Sequence, residues 1–180
     1  MEDFLIAPPP IAAVVLAGGQ ARRMGGGDKG RTQVGRQSIL ARIVATVRPQ
    51  VAALALSANG EAARFADLGL PVLADTVADS GPLAGLLAGL DWAAGAGFSW
   101  LLTVPGDTPF LPADLVIRLG HALRHGALAA IAGSGGRTHP VVGLWSTSLA
   151  EPLHRFMVEE GQRKVGHWAK DCGAVTMEWP

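Results

Sequence analysis

The sequence contains little that would indicate a secreted, disordered or nucleic-acid-binding protein. It has one cysteine in 180 residues, which excludes an internal disulfide framework and favours a reducing compartment. Fifteen basic and fifteen acidic residues leave a formal net charge of zero, which argues against binding to nucleic acid or to an anionic membrane. Apolar residues make up 49% of the chain, too large a share for a disordered protein.

Neither a secretory leader nor a membrane span is recognisable. The chain begins Met1-Glu2-Asp3, without the basic start of a signal peptide. Its longest apolar stretch, residues 82–98, contains Asp91 and is shorter than the ~20 apolar residues that a spanning helix needs. We therefore expect a cytoplasmic protein, with one domain over residues 1–180 that begins with a lead-in at residues 1–10.

Short apolar runs alternate with amphipathic segments along the chain. The segments predicted as strands are residues 11–16, 51–57, 71–74, 98–104, 128–132, 138–145 and 174–177. The segments predicted as helices are residues 38–48, 61–68, 82–94, 112–125, 147–159 and 163–171. This alternation predicts an α/β fold, a single Rossmann-like domain of three layers, in which a mostly parallel sheet carries helices on both faces.

Ligands of such folds bind beyond the carboxyl ends of the strands, which directs attention to four loops. They follow Leu16, Ser57, Ala74 and Val104. The fold class alone does not indicate a reaction, which must instead be inferred from the residues in these loops.

The loop after the first predicted strand combines glycine with positive charge. Glycine is in excess, at 24 residues, and six of them lie between residues 18 and 30, together with Arg22, Arg23 and Lys29. Glycine lets backbone N–H groups approach an anion, and Arg and Lys balance the charge of a triphosphate. The spacing fits neither a Walker loop, because Gly30 follows Lys29, nor a dinucleotide fingerprint. It predicts another kind of phosphate-binding loop; the alternative is a flexible surface loop with solvated charges.

The full pattern reads Leu-Ala-Gly-Gly at residues 16–19, Arg-Arg-Met-Gly-Gly at residues 22–26 and Asp-Lys-Gly at residues 28–30. It resembles the nucleotidyltransferases of the sugar-nucleotide-transferase fold, and among them the molybdenum cofactor guanylyltransferases, the molybdopterin-guanine dinucleotide biosynthesis protein A family. Cytidylyl-transferring relatives usually have Leu-Ala-Ala-Gly and Asn-Lys, so the Gly-Gly pair at residues 18–19 favours guanine. The resemblance implies GTP contacts from seven residues of the loop, namely Leu16, Ala17, Gly18, Gly19, Arg23, Gly26 and Lys29.

Two further loops agree with the resemblance on the nucleotide side. Asp107 follows the fourth predicted strand in Val-Pro-Gly-Asp-Thr-Pro, and a carboxylate beside a phosphate loop is the usual ligand for Mg²⁺. A turn aspartate that caps the next helix is the alternative. The resemblance implies that Asp107 holds Mg²⁺ and contacts GTP, with Arg23 and Lys29 as the other catalytic residues. It also implies GTP contacts from Asp75 and from Ser57, which stands where known relatives have asparagine.

Three further segments, whose sequences are less specific, are candidates for binding the substrate that accepts the nucleotide. They are Gly-Pro-Leu-Ala-Gly at residues 81–85, His-Pro at residues 139–140 and Arg-Lys-Val at residues 163–165. The resemblance implies molybdopterin contacts from Gly81, Pro82, Gly85, His139, Arg163 and Lys164. The sequence ends at Pro180, before the Phe-x-Asn-x-Asn-Thr-Pro segment with which members of this family usually continue.

The resemblance implies transfer of GMP from GTP to the terminal phosphate of molybdopterin, with or without bound molybdenum, and possible contact with molybdoenzyme maturation chaperones. One alternative is a CTP-dependent transferase acting on molybdopterin or on a sugar or polyol phosphate. The others are a GTP-binding protein that delivers cofactor without catalysis and a dinucleotide-dependent oxidoreductase. Cys172 is interpreted as structural, and His121 with His125 as a surface pair.

Overall fold

The computed structural model describes residues 9–17, 32–60, 62–74, 81–123 and 126–180. The strands are β1 (Ala12–Leu16), β2 (Gln33–Val34), β3 (Gln37–Ser38), β4 (Ala53–Ser57), β5 (Val72–Leu73), β6 (Trp100–Pro105), β7 (Ala129–Ser134), β8 (Arg137–Ser146) and β9 (Val175–Trp179). The helices are α1 (Ile39–Val47), α2 (Pro82–Gly95), α3 (Leu115–Ala122), α4 (Ala150–Val158) and α5 (Val165–Asp171). Short 3₁₀ helices occupy Arg48–Gln50, Ala62–Leu68 and Thr147–Leu149.

Seven of these strands form one sheet, in the order β5-β4-β1-β6-β8-β7-β9. Strand β8 is antiparallel to both of its neighbours, and the other six strands all run in one direction. The reversal follows from the short connection between β7 and β8, where Gly135 and Gly136 both have positive φ. The predicted α/β class with a mostly parallel sheet is confirmed.

The sheet is covered on both faces, and β1 shows why its sequence is continuously apolar. Ala13 and Val15 pack into the cluster that contains α1 and α3, whereas Ala12 and Val14 pack into the cluster that contains α2, α4 and α5. All four are completely buried. A strand buried on both faces needs apolar residues at every position, which is the pattern of residues 11–16.

The helices differ from the predicted ones mainly at their ends. The predicted helix over residues 61–68 is a 3₁₀ helix, and α3 begins at Leu115 instead of residue 112. Ser38 caps α1, since its hydroxyl accepts a hydrogen bond from the Ala41 N–H (3.2 Å). The hairpin of β2 and β3 was not predicted, because strands of two residues are too short for an alternating pattern.

Candidate active site

The carboxyl ends of β1, β4 and β6 meet at one edge of the sheet. Leu16 is in register with Ser57 on one side and with Pro105 on the other. Just beyond the strands, the Ala17 N–H donates to the Ser57 carbonyl (2.8 Å) and the Gly106 N–H donates to the Leu16 carbonyl (2.9 Å). The structure therefore brings together Leu16, Ala17 and Ser57, with the loop that carries Asp107 beside them.

Gly106 allows that loop to lie directly against the end of β1. A Cβ at this position would lie 3.1 Å from both the Leu16 carbonyl oxygen and Ala17 Cα. Both contacts are with backbone, which cannot move aside as a side chain can. Asp107 follows immediately and is exposed, so its carboxylate is available at the edge where the three strands end.

The first turn of α2 packs on the same edge. Gly85 is buried there, and a Cβ on it would lie 2.6 Å from Ser57 Oγ and 2.8 Å from Leu16 Cδ2. The residues that precede it, Gly81 and Pro82, are exposed, and Gly81 has a positive φ of 57° that favours glycine. Gly85 thus supports two predicted nucleotide contacts, while Gly81 and Pro82 offer surface for a ligand.

Six predicted site residues lie outside the described residues. Their roles stay predictions; they are Gly18, Gly19, Arg23, Gly26, Lys29 and Asp75. His125, the second member of the expected surface pair, also lies outside them. Within the described ranges, no group of three or more His, Cys, Asp or Glu side chains is arranged to hold a metal ion.

His139 lies near the start of β8, where the pairing with β7 changes register. Ile131 pairs with Gly143 and the next residue, Ala132, pairs with His139, so three residues of β8 bulge out. The His139 ring is exposed, and its Nε2 lies 2.8 Å from the Ser134 hydroxyl of β7. This contact fixes the ring orientation and leaves Nδ1 for another partner.

A buried hydrogen-bond chain holds the bulge in place. The Trp145 Nε1–H donates to the Thr103 hydroxyl of β6 (2.9 Å), and this hydroxyl donates to the Val141 carbonyl within the bulge (2.8 Å). Trp145 and Thr103 are both buried, so these bonds are shielded from water. The position of His139 therefore depends on side chains of two neighbouring strands.

Arg163 and Lys164 lie just before α5, in which a Cβ on Gly166 would lie 3.5 Å from Cγ of Pro140, the residue of β8 that follows His139. The Arg163 Nη1 donates to the Met157 carbonyl (2.7 Å) and to the Gln162 carbonyl (2.9 Å), so this nitrogen holds the turn between α4 and α5. Lys164 is exposed at the N-terminus of α5. Both predicted acceptor contacts are exposed. Arg163 also stabilises the turn between α4 and α5 through its two hydrogen bonds.

A cavity of about 830 Å³ extends from the loop after β6 to the hairpin of β7 and β8. One wall includes Arg42, whose guanidinium carbon lies 5.8 Å from the centre of the Phe110 ring, and Phe110 is 76% exposed. His139 and Ser134 also line the cavity. Of the regions around this cavity, the sequence predicted only His139 and the Asp107 loop as parts of a site. Arg42 was missed because its position in the sequence is that of an ordinary polar residue on an amphipathic helix.

Cys172 follows α5 and is half-buried. Its thiol lies 3.7 Å from the Ala169 carbonyl oxygen. Burial raises the pKa of the Cys172 thiol from 9.0 to about 11, so the group stays protonated at neutral pH. Such a thiol is a poor nucleophile, in agreement with the structural interpretation. Among the helices of the described residues, none has both the length and the apolar character required to cross a bilayer.

Comparison with known proteins shows the family to which the chain is related. Residues 13–172 match the family described as MobA-like NTP transferase domain. The molybdenum cofactor guanylyltransferase of Mesorhizobium japonicum is 51% identical over 172 residues, which are 94% of this chain and 83% of the relative.

Two solved structures share the fold. One is molybdopterin-guanine dinucleotide biosynthesis protein A from Archaeoglobus fulgidus, with a TM-score of 0.70 and 20% identity over 93% of this chain and 83% of that one. The other is the manganese complex of Rv0371C from Mycobacterium tuberculosis, with a TM-score of 0.69 and 16% identity over 94% and 88%. Taken with the strand-end site and the close sequence match, these relations place the chain in the family of the molybdenum cofactor guanylyltransferases, nucleotidyltransferases with a MobA-like NTP transferase domain.

Proposed function

We propose that the protein transfers GMP from GTP to the terminal phosphate of molybdopterin. An oxygen of the acceptor phosphate forms a bond to the α-phosphorus of GTP, and the bond from that phosphorus to the oxygen bridging to the β-phosphorus breaks. Pyrophosphate leaves with the electron pair, and the product is a dinucleotide joined through a new pyrophosphate linkage. The observation that carries this proposal is the convergence of the ends of β1, β4 and β6 beside the exposed carboxylate of Asp107.

The backbone hydrogen bonds at this edge support different roles for the beginning of the first loop and for the residues that follow. The N–H groups of Ala17 and Gly106 are bonded to neighbouring strands, so they hold the loops and do not serve the phosphates. Phosphate binding is therefore assigned to the backbone that follows, at Gly18, Gly19 and Gly26. Leu16, Ala17, Ser57 and Asp75 contact the nucleoside part of GTP.

Charge neutralisation is assigned to Arg23 and Lys29, whose positive charges are proposed to stabilise the negative charge on the α-phosphate and the leaving pyrophosphate. Neither residue has to exchange a proton, because a terminal phosphate with a second pKa near 6 is already largely a dianion at neutral pH. The rate enhancement then comes from alignment of the two phosphates and from electrostatic stabilisation.

The chemistry of the donors fits a magnesium ion at Asp107. Mg²⁺ in nucleotide enzymes is usually held by one or two carboxylates together with substrate phosphates, and Asp107 offers an exposed carboxylate where the phosphates are expected. When bound, the ion would neutralise phosphate charge and constrain the geometry of the displacement. Asp107 is the residue of the described chain that would hold it.

The acceptor is assigned to the side of the site formed by α2, β8 and α5. His139 Nδ1 and the Lys164 ammonium group are the two polar groups proposed to hold the molybdopterin phosphate, with Arg163 beside them. Gly81 and Pro82, which are exposed at the start of α2, are assigned to the acceptor as well, together with Gly85 one turn further along this helix.

Pyrophosphate release tests the proposal. Purified protein is incubated with molybdopterin, Mg²⁺ and one of GTP, CTP, ATP or UTP, and released pyrophosphate and the dinucleotide product are both quantified. We expect turnover with GTP only, and loss of turnover without molybdopterin. Turnover with CTP and not with GTP, or binding of GTP without release of pyrophosphate, would contradict the proposal.

A further inference from the structure

Gln50 ends the 3₁₀ helix between α1 and β4, and its side chain reaches the loop that carries Asp107. The Gln50 Nε2 donates to the carbonyls of Thr46 (2.9 Å) and Pro112 (3.2 Å), and its Oε1 accepts from the Val116 N–H (3.1 Å). Both ends of one carboxamide are thus engaged. Its two loop partners are 62 and 66 residues away in the sequence, so the contact depends on the tertiary structure.

The loop partners of Gln50 lie on either side of the start of α3. Asp114 occupies the N-cap position of this helix, but its side chain makes no capping hydrogen bond. The Val116 N–H is one of the donors that a helix start leaves unpaired, and Gln50 Oε1 accepts from it in place of a local cap. Gln50 therefore joins the end of α1 to the beginning of α3.

The loop between β6 and α3 is held at both of its ends. At the first end the Gly106 N–H is bonded to the Leu16 carbonyl, and at the second end Gln50 holds Pro112 and Val116. Proline fixes φ at residue 109 between these anchors and at residue 112 within the second one. Fewer backbone rotations are therefore available to absorb a displacement of the second anchor before it reaches Asp107.

We propose that Gln50 is a positioning residue for Asp107. The Gly106–Leu16 bond fixes the near end of the loop against β1, and Gln50 fixes the far end and thereby the orientation of the Asp107 carboxylate. The inference rests on the proposed function in one respect, the role of Asp107 as the metal ligand. Gln50 acts only through the backbone of the loop and touches neither nucleotide nor metal. Its carboxamide matches this task because one end holds the Pro112 carbonyl while the other holds the first turn of α3.

Two substitutions separate these contacts. Gln50→Leu removes all three hydrogen bonds, whereas Gln50→Glu keeps an acceptor for the Val116 N–H but directs a carboxylate at the Pro112 carbonyl. Thr147→Val is the matched control, because it removes one half-buried bond, from the Thr147 hydroxyl to the Phe98 carbonyl (3.1 Å), at the opposite end of β6. Thermal unfolding of each variant measures the loss of stability.

The decisive measurement is the affinity for Mn²⁺ at saturating GTP, followed by the electron paramagnetic resonance of free Mn²⁺ against a protein-free GTP blank. We expect both Gln50 variants to lose about tenfold in Mn²⁺ affinity, the smaller end of the loss typical when a residue that orients a ligand is changed. Gln50→Glu should lose less in Tm than Gln50→Leu, and Thr147→Val should lose Tm with unchanged Mn²⁺ affinity.

Unchanged Mn²⁺ affinity in Gln50→Leu, whether or not its Tm falls, would overturn the inference. A loss of Mn²⁺ affinity in Thr147→Val equal to that in Gln50→Leu would also overturn it, since the change in affinity would then follow from reduced stability alone. Failure of the proposed function is recognised separately: a wild-type protein that binds Mn²⁺ with GTP but releases no pyrophosphate refutes the reaction and not the role of Gln50. Mn²⁺ binding by Asp107→Asn equal to that of wild type would refute both.

Discussion

The two halves of the sheet are constructed differently. In the half made of β5, β4, β1 and β6, all strands are parallel, and backbone hydrogen bonds lock the strand ends together at Leu16, Ser57 and Gly106. In the half made of β8, β7 and β9, one strand is reversed, and side chains hold the bulge beside His139. Backbone hydrogen bonds hold the strand ends of the first site, and the Gln50 side chain is proposed to hold the far end of its Asp107 loop. In the second site, side-chain hydrogen bonds hold the strand bulge itself.

This difference corresponds to the two substrates of the proposed reaction. The first half carries Asp107 and the residues assigned to GTP, and the start of α2 packs on it. The second half carries His139, with Arg163 and Lys164 nearby in the chain before α5, and these three residues are assigned to molybdopterin. Substitutions in the first half should therefore reduce turnover and GTP binding together. Substitutions in the second half should raise the KM for molybdopterin and leave GTP binding intact.

The largest effect is expected for Asp107→Asn, which keeps the shape of the side chain and removes its charge. Turnover should fall by ~10²–10³-fold, the size typical for loss of one electrostatic contact in an active site. Steady-state pyrophosphate release measures this, with Asp114→Asn as the control because Asp114 is exposed in the same loop and makes no capping bond. Equal losses in the two variants would show that the loop tolerates no change, and would remove the special role of Asp107.

The next effect concerns packing at the edge where the parallel strands end. A methyl group in Gly85→Ala would lie 2.6 Å from Ser57 Oγ, so the side chain or the helix has to shift. We expect a loss of ~1–3 kcal/mol in the free energy of unfolding, as for other overpacked sites. GTP should bind more weakly as well, because Ser57 is displaced.

The control for this prediction lies in the same helix. Gly95, at the end of α2, has open space where a Cβ would be, and Gly95→Ala should be neutral or stabilise by up to ~1 kcal/mol. Urea unfolding with and without GTP compares the two variants. A Gly85→Ala protein as stable as Gly95→Ala would mean that the nucleotide half is less tightly packed than its geometry indicates.

The same contrast explains how much the sequence could predict. Parallel strands buried on both faces are recognisable from continuous apolar runs, and their carboxyl ends meet in any fold of this class, so Leu16, Ala17 and Ser57 could be grouped before the structure was known. The bulge at residues 140–142 could not be predicted, because it depends on Thr103 and Trp145 from two strands. Gln50 was missed for a similar reason, since both of its loop partners are more than 60 residues away.

His139→Ala tests the second half directly. Loss of one hydrogen bond to a charged phosphate should raise the KM for molybdopterin by about tenfold, and the KM for GTP should stay unchanged. His154→Ala, which changes an exposed histidine of α4, serves as the control. If His139→Ala raises both KM values equally, the two halves do not divide the substrates as proposed.

The smallest effect is expected at Cys172, which lies between α5 and β9. The burial of its thiol reports on how readily this segment of the second half opens. Because burial raises the pKa of its thiol to about 11, the folded protein holds this proton more tightly than the unfolded chain, in which the pKa is 9.0. The resulting stabilisation is complete below pH 9 and is lost as the pH rises from 9 towards 11. The difference in stability between wild type and Cys172→Ala should therefore shrink over that interval.

Alkylation measures the same property under milder conditions. At pH 8 iodoacetamide should modify the native thiol at least ~10-fold more slowly than the thiol of the urea-unfolded chain, because the thiolate is the reacting form and is scarce in the folded state. The unfolded chain is the internal control, since it has the same cysteine and no burial. Equal rates would mean that the segment around Cys172 opens readily in the folded protein. The second half of the sheet would then be locally unstable next to its edge strand β9, in addition to its irregular register between β7 and β8.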